Sequence, residues 1–324
     1  MPSKKFRIVF MGTPEFAVAS LKSLLDAGFN VVAVVTSPDK PAGRGQKLQE
    51  SDIKKFAKTF DIPILQPEKL KEQTFIDELQ SFQADLQVVV AFRMLPEIVW
   101  SMPRLGTINL HASLLPQYRG AAPINWVIIN GEKTTGVTTF FIEKEIDTGK
   151  IIHSEEITIK DSDNAGSLHD RLMETGAKLL KQTVMDIESG NYPQTDQFSS
   201  GHSGTELKTA PKIFKEHCKI DWNAPLEKTR NFIRGLSPYP ASCTTLVNIK
   251  TKDRLLLKIF KSETEICIHS HPSGLVISDE KKYLKIAVTG GYISLLTLQL
   301  EGKKRLNIEE FLHGFKNPGD YKVE

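Results

Sequence analysis

Two polar side chains near the middle of the chain have the types and the spacing that can stabilise a reacting carbonyl group. Asn109 and His111 alternate with apolar Ile108 and Leu110 at the end of a strand-like run. Alternate residues of a strand project from one face, so the amide and the imidazole are expected side by side. Together they offer two donors to a developing oxyanion, and the imidazole can also move a proton. The competing interpretation is a pair of hydrogen-bonded core residues.

A carboxylate further along the chain is the third candidate. Asp147 begins the tripeptide Asp147-Thr-Gly149, which is typical of a turn between strands. Beside His111, this carboxylate would orient the ring and favour its protonated form. Aspartic proteases use the same tripeptide, but they need two carboxylates that share a proton, and this chain has one Asp-Thr-Gly. We therefore expect Asn109, His111 and Asp147 to act together on one carbonyl centre.

A loop rich in glycine and proline carries three cations. Lys40, Arg44 and Lys47 lie in residues 38–47, after the second predicted strand. The loop is either a flexible surface segment or an arm that contacts the phosphates and bases of a nucleic acid. The formal charge is +6 over residues 206–324 and −3 over residues 1–205. This basic C-terminal third favours a polyanionic partner.

Two other possible sites have weaker support. The first predicted strand ends in Gly12-Thr-Pro and lacks the G-x-G-x-x-G pattern of a dinucleotide site. Cys267, His269 and His271 alternate on one face of a predicted strand, which is conceivable for zinc. No second cluster of ligands accompanies them, so a structural role is favoured and no metal is expected.

Composition excludes several classes of protein. The chain has 324 residues, of which 40% are hydrophobic and 25% charged, as in a globular protein of about two domains. Three cysteines without a C-x-x-C exclude a disulfide scaffold and favour a cytoplasmic location. No apolar run approaches the roughly 18 residues of a membrane span, and residues 1–5 lead directly into a strand, so no signal peptide is expected.

The elements that must position these side chains follow an α/β pattern. Apolar runs alternate with amphipathic stretches, which predicts a mostly parallel sheet with helices between its strands. Strands are predicted at 6–11, 31–35, 62–65, 86–91 and 107–110, more antiparallel ones at 137–142 and 151–159, and helices near 14–28, 50–60, 69–81, 95–101, 165–187 and 226–236. Residues 189–209, rich in Ser, Gly, Thr and Gln, form the predicted linker. Short runs at 244–249, 255–260, 265–269, 274–278, 284–288 and 292–298 then predict a small antiparallel barrel or sandwich.

The candidate residues lie within a longer pattern. Asn109-Leu-His-Ala-Ser-Leu-Leu-Pro-Gln-Tyr-Arg-Gly-Ala-Ala-Pro123, with Thr135-Gly-Val-Thr138 and Asp147-Thr-Gly149, closely resembles the folate-dependent formyltransferases. The resemblance runs nearly end to end, through Met11–Phe16, Pro38–Gly45, Ala210–Ile213, Ile220–Trp222 and Arg234–Pro240. The Pro-Ala-Gly-Arg-Gly loop and the Ile-Asp-Trp segment are most similar to the members that act on a tRNA.

The resemblance implies a fold and an activity. The implied fold is a Rossmann-like catalytic domain over residues 1–188, a linker over 189–209 and an OB-like antiparallel β-barrel that binds tRNA over 210–324. The implied enzyme transfers a formyl group from 10-formyltetrahydrofolate, its co-substrate, to the α-amino group of initiator methionyl-tRNA. The product, N-formylmethionyl-tRNA, serves translation initiation in the cytoplasm. A monomer without a metal or a membrane contact is expected.

The resemblance also assigns roles to individual residues. It places the catalytic roles on Asn109, His111 and Asp147. It places folate binding on Ser113, Leu114, Leu115 and Pro116, with Arg93 and Leu95 along the same pocket. The arm beside the tRNA falls on the loop that carries Lys40, Arg44 and Lys47.

Three segments depart from the family pattern, and other functions remain open. Val89–Pro96 is one residue shorter than usual, with Arg93 near the usual glycine. The linker motif Leu207–Lys212 lacks a tyrosine, and Tyr239 replaces a tryptophan. The alternatives are a formyltransferase with a small purine-pathway or sugar-nucleotide acceptor, a dinucleotide-dependent dehydrogenase, and a non-catalytic nucleic-acid-binding module.

Overall fold

The structure, a computed structural model, describes residues 6–42, 47–197 and 206–324. The chain divides into two compact units. The first unit comprises Met1–Gly120, Thr135–Ile157 and His169–Thr209, and the second comprises Ala121–Thr134, Thr158–Leu168 and Ala210–Glu324. The second unit is therefore built mainly from residues 210–324, and two short earlier segments, 121–134 and 158–168, also belong to it.

The described residues form strands and helices in both units. The strands are β1 (Arg7–Gly12), β2 (Asn30–Val35), β3 (Lys40–Ala42), β4 (Lys47–Gln49), β5 (Ile64–Leu65), β6 (Leu86–Val90), β7 (Thr107–His111), β8 (Arg119–Gly120), β9 (Thr134–Phe141), β10 (Ile151–Thr158), β11 (Thr209–Ala210), β12 (Ser242–Asn248), β13 (Arg254–Ile266), β14 (Val276–Ser278), β15 (Leu284–Val288), β16 (Gly291–Leu300), β17 (Leu306–Asn307) and β18 (Tyr321–Val323). The α-helices are α1 (Glu15–Asp26), α2 (Asp52–Lys58), α3 (Gln73–Ser81), α4 (Glu97–Trp100), α5 (Pro123–Ile129), α6 (Ala165–Ser189), α7 (Leu226–Gly235) and α8 (Ile308–Gly314).

The first unit contains a seven-stranded sheet in the order β10-β9-β7-β6-β1-β2-β5. The neighbours from β7 to β5 run parallel, and β9 is antiparallel to β7. β6 is buried at every position, as expected for a central strand that is covered on both faces. The carboxyl ends of β1, β6 and β7 therefore lie along one edge, which is where open parallel sheets bind ligands.

Apolar side chains from the strands and the helices of this unit form a common core. Valines and a methionine of β1, β2 and β6 pack with aromatic and aliphatic residues of the connecting segments. α3 contributes one apolar face to this core, because its buried residues Phe75, Ile76 and Leu79 fall on one side of the helix. The sheet thus becomes a rigid support for the side chains at its carboxyl edge.

The second unit contains an antiparallel sheet in the order β14-β15-β16-β13-β12-β18, with β17 paired to β16. A bridge between Leu275 and Lys322 joins the two ends of this order and nearly closes the sheet into a barrel. A single apolar cluster, which includes Leu257, Ile286 and Phe311, fills the interior. The fold class predicted from the sequence, a Rossmann-like sheet followed by an antiparallel barrel, is confirmed.

The structure corrects some predicted elements. Two predicted strands, 255–260 and 265–269, are one long strand, β13, with register irregularities between Ile259 and Ser262. Residues after Ile266 leave the strand, so Cys267, His269 and His271 do not share a strand face as predicted.

Two helices were not predicted. α5 is uniformly apolar apart from one asparagine and therefore lacks the helical period. α8 carries a signal that could have revealed it, because Asn307 and Glu310 form a reciprocal capping box. Over the described residues, no helix has both the length and the apolar character needed to cross a bilayer.

Candidate active site

Asn109 lies on β7, between β6 and β9 in the sheet of the first unit. Its register partners are Val89 of β6 and Phe140 of β9. The side chain is partly exposed, and among the described residues its amide has no hydrogen-bond partner. A donor that is held on a rigid strand and not engaged elsewhere suits the predicted contact with an oxyanion.

His111 follows on the same face of β7 and is 7% exposed. Its ring nitrogen Nε2 lies 2.9 Å from the carbonyl oxygen of Tyr118. Because a carbonyl oxygen can only accept, Nε2 carries a proton and donates it to this bond. The other ring nitrogen, Nδ1, is therefore the one available for proton transfer or for a contact with substrate.

Asp147 lies in the turn between β9 and β10 and faces the histidine. Its Oδ2 is 3.8 Å from Nδ1 of His111, and it accepts a hydrogen bond of 2.9 Å from the backbone nitrogen of Gly120. The 3.8 Å separation is too long for a hydrogen bond, so the two groups form an ion pair when the ring is protonated. The structure thus brings the carboxylate beside the ring, at a distance that a movement of about 1 Å would close to a hydrogen bond.

The turn Ser113–Pro116 follows β7 and is held by Thr138 of β9. The Thr138 hydroxyl donates to the carbonyl oxygen of Ser113 at 2.7 Å and accepts from the backbone nitrogen of Leu115 at 3.2 Å. The Ser113 hydroxyl donates to the carbonyl oxygen of Gln117 at 2.7 Å, and the Leu115-Pro116 peptide bond is cis. The predicted folate-binding stretch is therefore a fixed turn beside His111.

The motif Thr135-Gly-Val-Thr138 supports the same turn. A Cβ atom at Gly136 would lie 2.2 Å from the carbonyl oxygen of Glu155 and 2.6 Å from Cδ2 of Leu114. Neither atom leaves space for a side chain, so only glycine lets β9 approach both β10 and the turn.

Arg93 and Leu95, which were predicted along the folate pocket, anchor the segment after β6. The Arg93 guanidinium donates to the carbonyl oxygens of Glu68, at 2.8 Å, and Pro67, and its burial lowers the pKa of this group. Leu95 is 9% exposed and belongs to the core cluster of the sheet. Both residues fix the backbone at the carboxyl end of β6, and their contact with a folate stays a prediction.

The predicted nucleic-acid arm is partly described. Lys40 is exposed on β3, which pairs with β4 in a hairpin, and Lys47 is the first residue of β4. Arg44 lies outside the described residues, and nothing is described of the Lys47 side chain. The hairpin itself was not predicted from the sequence.

The histidines considered for zinc have other partners. The His269 ring stacks on Tyr292 with centroids 4.5 Å apart, and its Nε2 donates to the carbonyl oxygen of Gly291 at 2.9 Å. Nδ1 of His271 lies 2.7 Å from the Tyr292 hydroxyl oxygen. In the part of the chain that the structure describes, no three His, Cys, Asp or Glu side chains are grouped to hold a metal ion.

Two residues near Asp147 were missed by the sequence reasoning. Arg119 donates through Nε to Oε1 of Gln197 at 3.1 Å. Burial lowers the pKa of Arg119, while the negative charge of Asp147 acts in the opposite direction. Arg119 lies within the Asn109–Pro123 motif, and this position could have indicated that it belongs to the site. Gln197 lies in a polar linker, where no sequence pattern indicated a structural contact.

Comparisons with known proteins agree with this fold and this site. Residues 5–184 match the family described as formyl transferase, and residues 212–316 match the formyl transferase C-terminal domain. The chain therefore belongs to the formyl transferase family of enzymes. This result contradicts two of the alternatives, the dinucleotide-dependent dehydrogenase and the non-catalytic nucleic-acid-binding module.

Curated relatives are similar over their whole length. The methionyl-tRNA formyltransferase of Bacteroides thetaiotaomicron is 54% identical over 323 residues, which cover 100% of both chains. The methionyl-tRNA formyltransferase of Flavobacterium johnsoniae is 50% identical over 320 residues and 99% of both chains.

Solved structures share the fold at low sequence identity. A sugar 3N-formyl transferase determined in the presence of dTDP and 5-N-formyl-THF aligns with a TM-score of 0.65 and 22% identity, over 93% of this chain and 100% of the other. An N-formyltransferase from Helicobacter canadensis, in complex with folinic acid and dTDP-3-aminofucose, gives 0.63 and 20%, over 93% and 100%.

Proposed function

We propose that this chain transfers the formyl group of 10-formyltetrahydrofolate to the α-amino group of initiator methionyl-tRNA, which yields N-formylmethionyl-tRNA for translation initiation. The full-length relatives at 50–54% identity that carry this activity in their names support the proposal. The observation that carries the chemistry is the arrangement of His111 and Asp147 at 3.8 Å, beside the unengaged amide of Asn109.

The reaction needs a group that stabilises negative charge on oxygen. When the free amine attacks the formyl carbon, the carbonyl oxygen becomes an oxyanion on a tetrahedral carbon. The Asn109 amide donates to that oxygen, and the protonated Nδ1 of His111 supplies a second donor. Such preorganised donors contribute most in a site that excludes bulk water.

The reaction also needs a proton on the leaving nitrogen. The attacking amine loses one proton, and the nitrogen of tetrahydrofolate gains one as its bond to the formyl carbon breaks. Nδ1 of His111 is the nitrogen able to relay this proton, since Nε2 already donates to Tyr118. Asp147 holds the protonated ring by charge, and the atoms balance without a covalent enzyme intermediate.

We assign the two substrates to different parts of the first unit. The fixed turn Ser113–Pro116 contacts the folate, with Arg93 and Leu95 supporting the segment at the carboxyl end of β6. Lys40 and Lys47, on the paired strands β3 and β4, contact the tRNA together with Arg44, which lies between them in the sequence.

We propose a division of labour along the chain. Residues 1–188 form the catalytic domain, residues 189–209 form the linker, and the basic residues 210–324 form a domain that binds tRNA. A monomer acting in the cytoplasm, where tRNA is charged, fits this role. Light scattering of the purified protein with and without tRNA tests the monomer, and a stable dimer would contradict it.

One incubation tests the activity. The purified protein is mixed with 10-formyltetrahydrofolate and methionyl-initiator tRNA, and the released aminoacyl group is weighed by mass spectrometry. We expect formylmethionine with the intact protein, and its formation about 100- to 1000-fold more slowly with His111→Ala. Parallel incubations offer a dTDP-amino sugar and glycinamide ribonucleotide as acceptors. Formylation of either one in preference to the tRNA would replace this proposal by the small-acceptor alternative.

A further inference from the structure

Gln197 is a buried linker residue whose side chain reaches the turn of Asp147. It is 2% exposed, although its neighbours in the sequence are mostly polar. Its Nε2 donates to the carbonyl oxygens of Asp147, at 2.9 Å, and Gly149, at 2.8 Å. Its Oε1 accepts from Nε and Nη2 of Arg119.

These partners determine which way the amide points. A glutamine amide has two protons on nitrogen and only acceptor sites on oxygen. The two carbonyl oxygens require the NH2 group, and the Arg119 guanidinium requires the oxygen. The reversed orientation would oppose acceptor to acceptor and donor to donor, so every polar atom of this side chain is satisfied in one orientation only.

The residue that Gln197 holds, Asp147, has a left-handed backbone conformation. Asp147 has a φ of 55°, in the left-handed region, which residues other than glycine adopt uncommonly and aspartate more often than most. The hydrogen bonds from Gln197 fix the carbonyl groups of Asp147 and of Gly149, two residues later. They therefore act on the backbone that aims the carboxylate at His111.

The other end of the linker holds the loop that supports His111. The backbone nitrogen of Tyr118 donates to the carbonyl oxygen of Lys208 at 2.7 Å. The Gln117 amide accepts from the Lys208 backbone nitrogen at 2.9 Å. The carbonyl oxygen of Tyr118 receives the proton of His111 Nε2, so linker residues support both the ring and the carboxylate.

We propose that Gln197 is a positioning residue for the transfer reaction, because its amide holds the turn that places Asp147 opposite Nδ1 of His111. The expected effect on kcat rests on the proposed function. The effect on the backbone around Asp147 does not, and it can be measured separately. The linker then takes part in building the active site, in addition to joining the two units.

Two substitutions separate the contributions of the amide. Gln197→Met has nearly the same shape and removes both donors and the acceptor. Gln197→Glu keeps an acceptor for Arg119 but places a carboxylate oxygen against two carbonyl oxygens. We expect kcat to fall by about 10- to 100-fold in both variants, as for a small displacement of a catalytic group. KM for methionyl-tRNA and for 10-formyltetrahydrofolate should change by less than about threefold.

Hydrogen–deuterium exchange supplies a readout that does not depend on activity. In Gln197→Met we expect faster exchange in residues 143–150, with the remainder of the first unit unchanged. Gln182→Met is the matched control, because Gln182 is an exposed glutamine of α6 whose amide donates to Asp186 at 2.8 Å. It should leave both kcat and exchange as in the wild type.

The possible outcomes are distinct. Wild-type kcat in Gln197→Met, wild-type exchange in residues 143–150, or faster exchange throughout the first unit would each overturn the positioning role. Wild-type kcat in Gln197→Glu would show that only the contact with Arg119 matters and would overturn it too. If the wild-type protein does not formylate methionyl-tRNA, the proposed function fails, and the exchange experiment still decides the role of Gln197.

Discussion

At the scale of single residues, the site is defined by which polar atoms are already engaged. Nε2 of His111 donates to Tyr118, and Oδ2 of Asp147 accepts from Gly120, so each group has one fixed contact in the fold. The Asn109 amide has none among the described residues. The atoms left for substrate are therefore the Asn109 amide and Nδ1 of His111, and the Asp147 carboxylate lies 3.8 Å from Nδ1.

We expect Asn109→Ala and His111→Ala to lower kcat by about 100- to 1000-fold each, which corresponds to roughly 3–4 kcal/mol. Each variant removes a group that we propose to contact the oxyanion of the transition state. Steady-state formylation of methionyl-tRNA measures the effect, and thermal unfolding checks that the fold persists. Asn191→Ala, at an exposed asparagine, is the control. Near wild-type turnover by Asn109→Ala would remove this residue from the mechanism.

At the scale of elements, some sequence motifs are explained by close packing. α5 and α7 pack in the second unit, where the Asn125 amide donates to the carbonyl oxygen of Gly235 at 2.7 Å. A Cβ at Gly235 would lie 2.6 Å from Cγ1 of Ile129 and 3.1 Å from the carbonyl oxygen of Asn125. The glycine in Arg234–Pro240 thus permits two helices to touch.

We expect Gly235→Ala to destabilise the protein by about 1–3 kcal/mol, because the added methyl group overpacks this contact. In an open helix the same change stabilises by up to about 1 kcal/mol. Gly314→Ala is therefore the control, since nothing lies within 4 Å of a Cβ at Gly314 in α8. Urea unfolding measures both variants. A Gly235→Ala protein as stable as Gly314→Ala would disprove the packing argument.

The hairpin of β3 and β4 is held at both of its ends by one lysine. Nζ of Lys54, on α2, lies 2.6 Å from Oδ2 of Asp39 before β3 and 3.3 Å from Oε1 of Glu50 after β4. The Gln66 amide also donates to Asp39, at 2.8 Å. The hydrogen bond from Lys54, more than any other cause, lowers the pKa of Asp39 below its usual 3.8.

We expect Lys54→Met to destabilise the protein near pH 7 and to lose this effect in acid. The pKa of Asp39 is lower in the folded protein than in the unfolded chain. The stabilisation by the ion pair is therefore complete above the usual value of 3.8 and is lost as the pH falls through the folded value. Urea unfolding from about pH 7 to about pH 3 tests the trend.

Lys55→Met is the matched control for this change. Lys55, the next residue of α2, makes an exposed contact of 3.5 Å with Asp52, and its replacement should have little effect at either pH. A pH-independent difference between wild type and Lys54→Met would show that the alkyl chain matters and the charge does not.

At the scale of the whole molecule, charge is divided along the chain. The formal charge is +6 over residues 206–324 and −3 over residues 1–205, and the second value already includes the cations Lys40, Arg44 and Lys47. A partner with many phosphates would release counterions when these cations bind it, so its affinity must fall with salt.

We expect the affinity for initiator tRNA to decrease linearly with salt on logarithmic scales. Lys40→Ala and Arg44→Ala should each weaken binding and reduce the slope by about one. Filter binding at several salt concentrations measures both quantities. Lys178→Ala, at an exposed lysine of α6, is the control and should keep the wild-type slope. Affinity that does not change with salt would contradict the role of the basic residues.

Features that depend on local order were predictable from the sequence alone. The alternation of Asn109 and His111 with Ile108 and Leu110 indicated that both polar groups share one face of a strand. Runs of apolar residues predicted the parallel sheet, and short alternating runs predicted the barrel. These signals suffice because the two-residue period of a strand is visible in a few neighbouring residues.

Only the tertiary structure decided how distant residues meet. No local period could show that Asp147 lies 3.8 Å from His111, that Gln197 supports its backbone, or that Nε2 of the ring is already engaged. These contacts follow from strand order, from a left-handed turn and from a linker that folds back. Each of these contacts joins residues that are far apart in the sequence, and it forms only when the helices and loops pack on the sheet. A short stretch of sequence does not specify that packing.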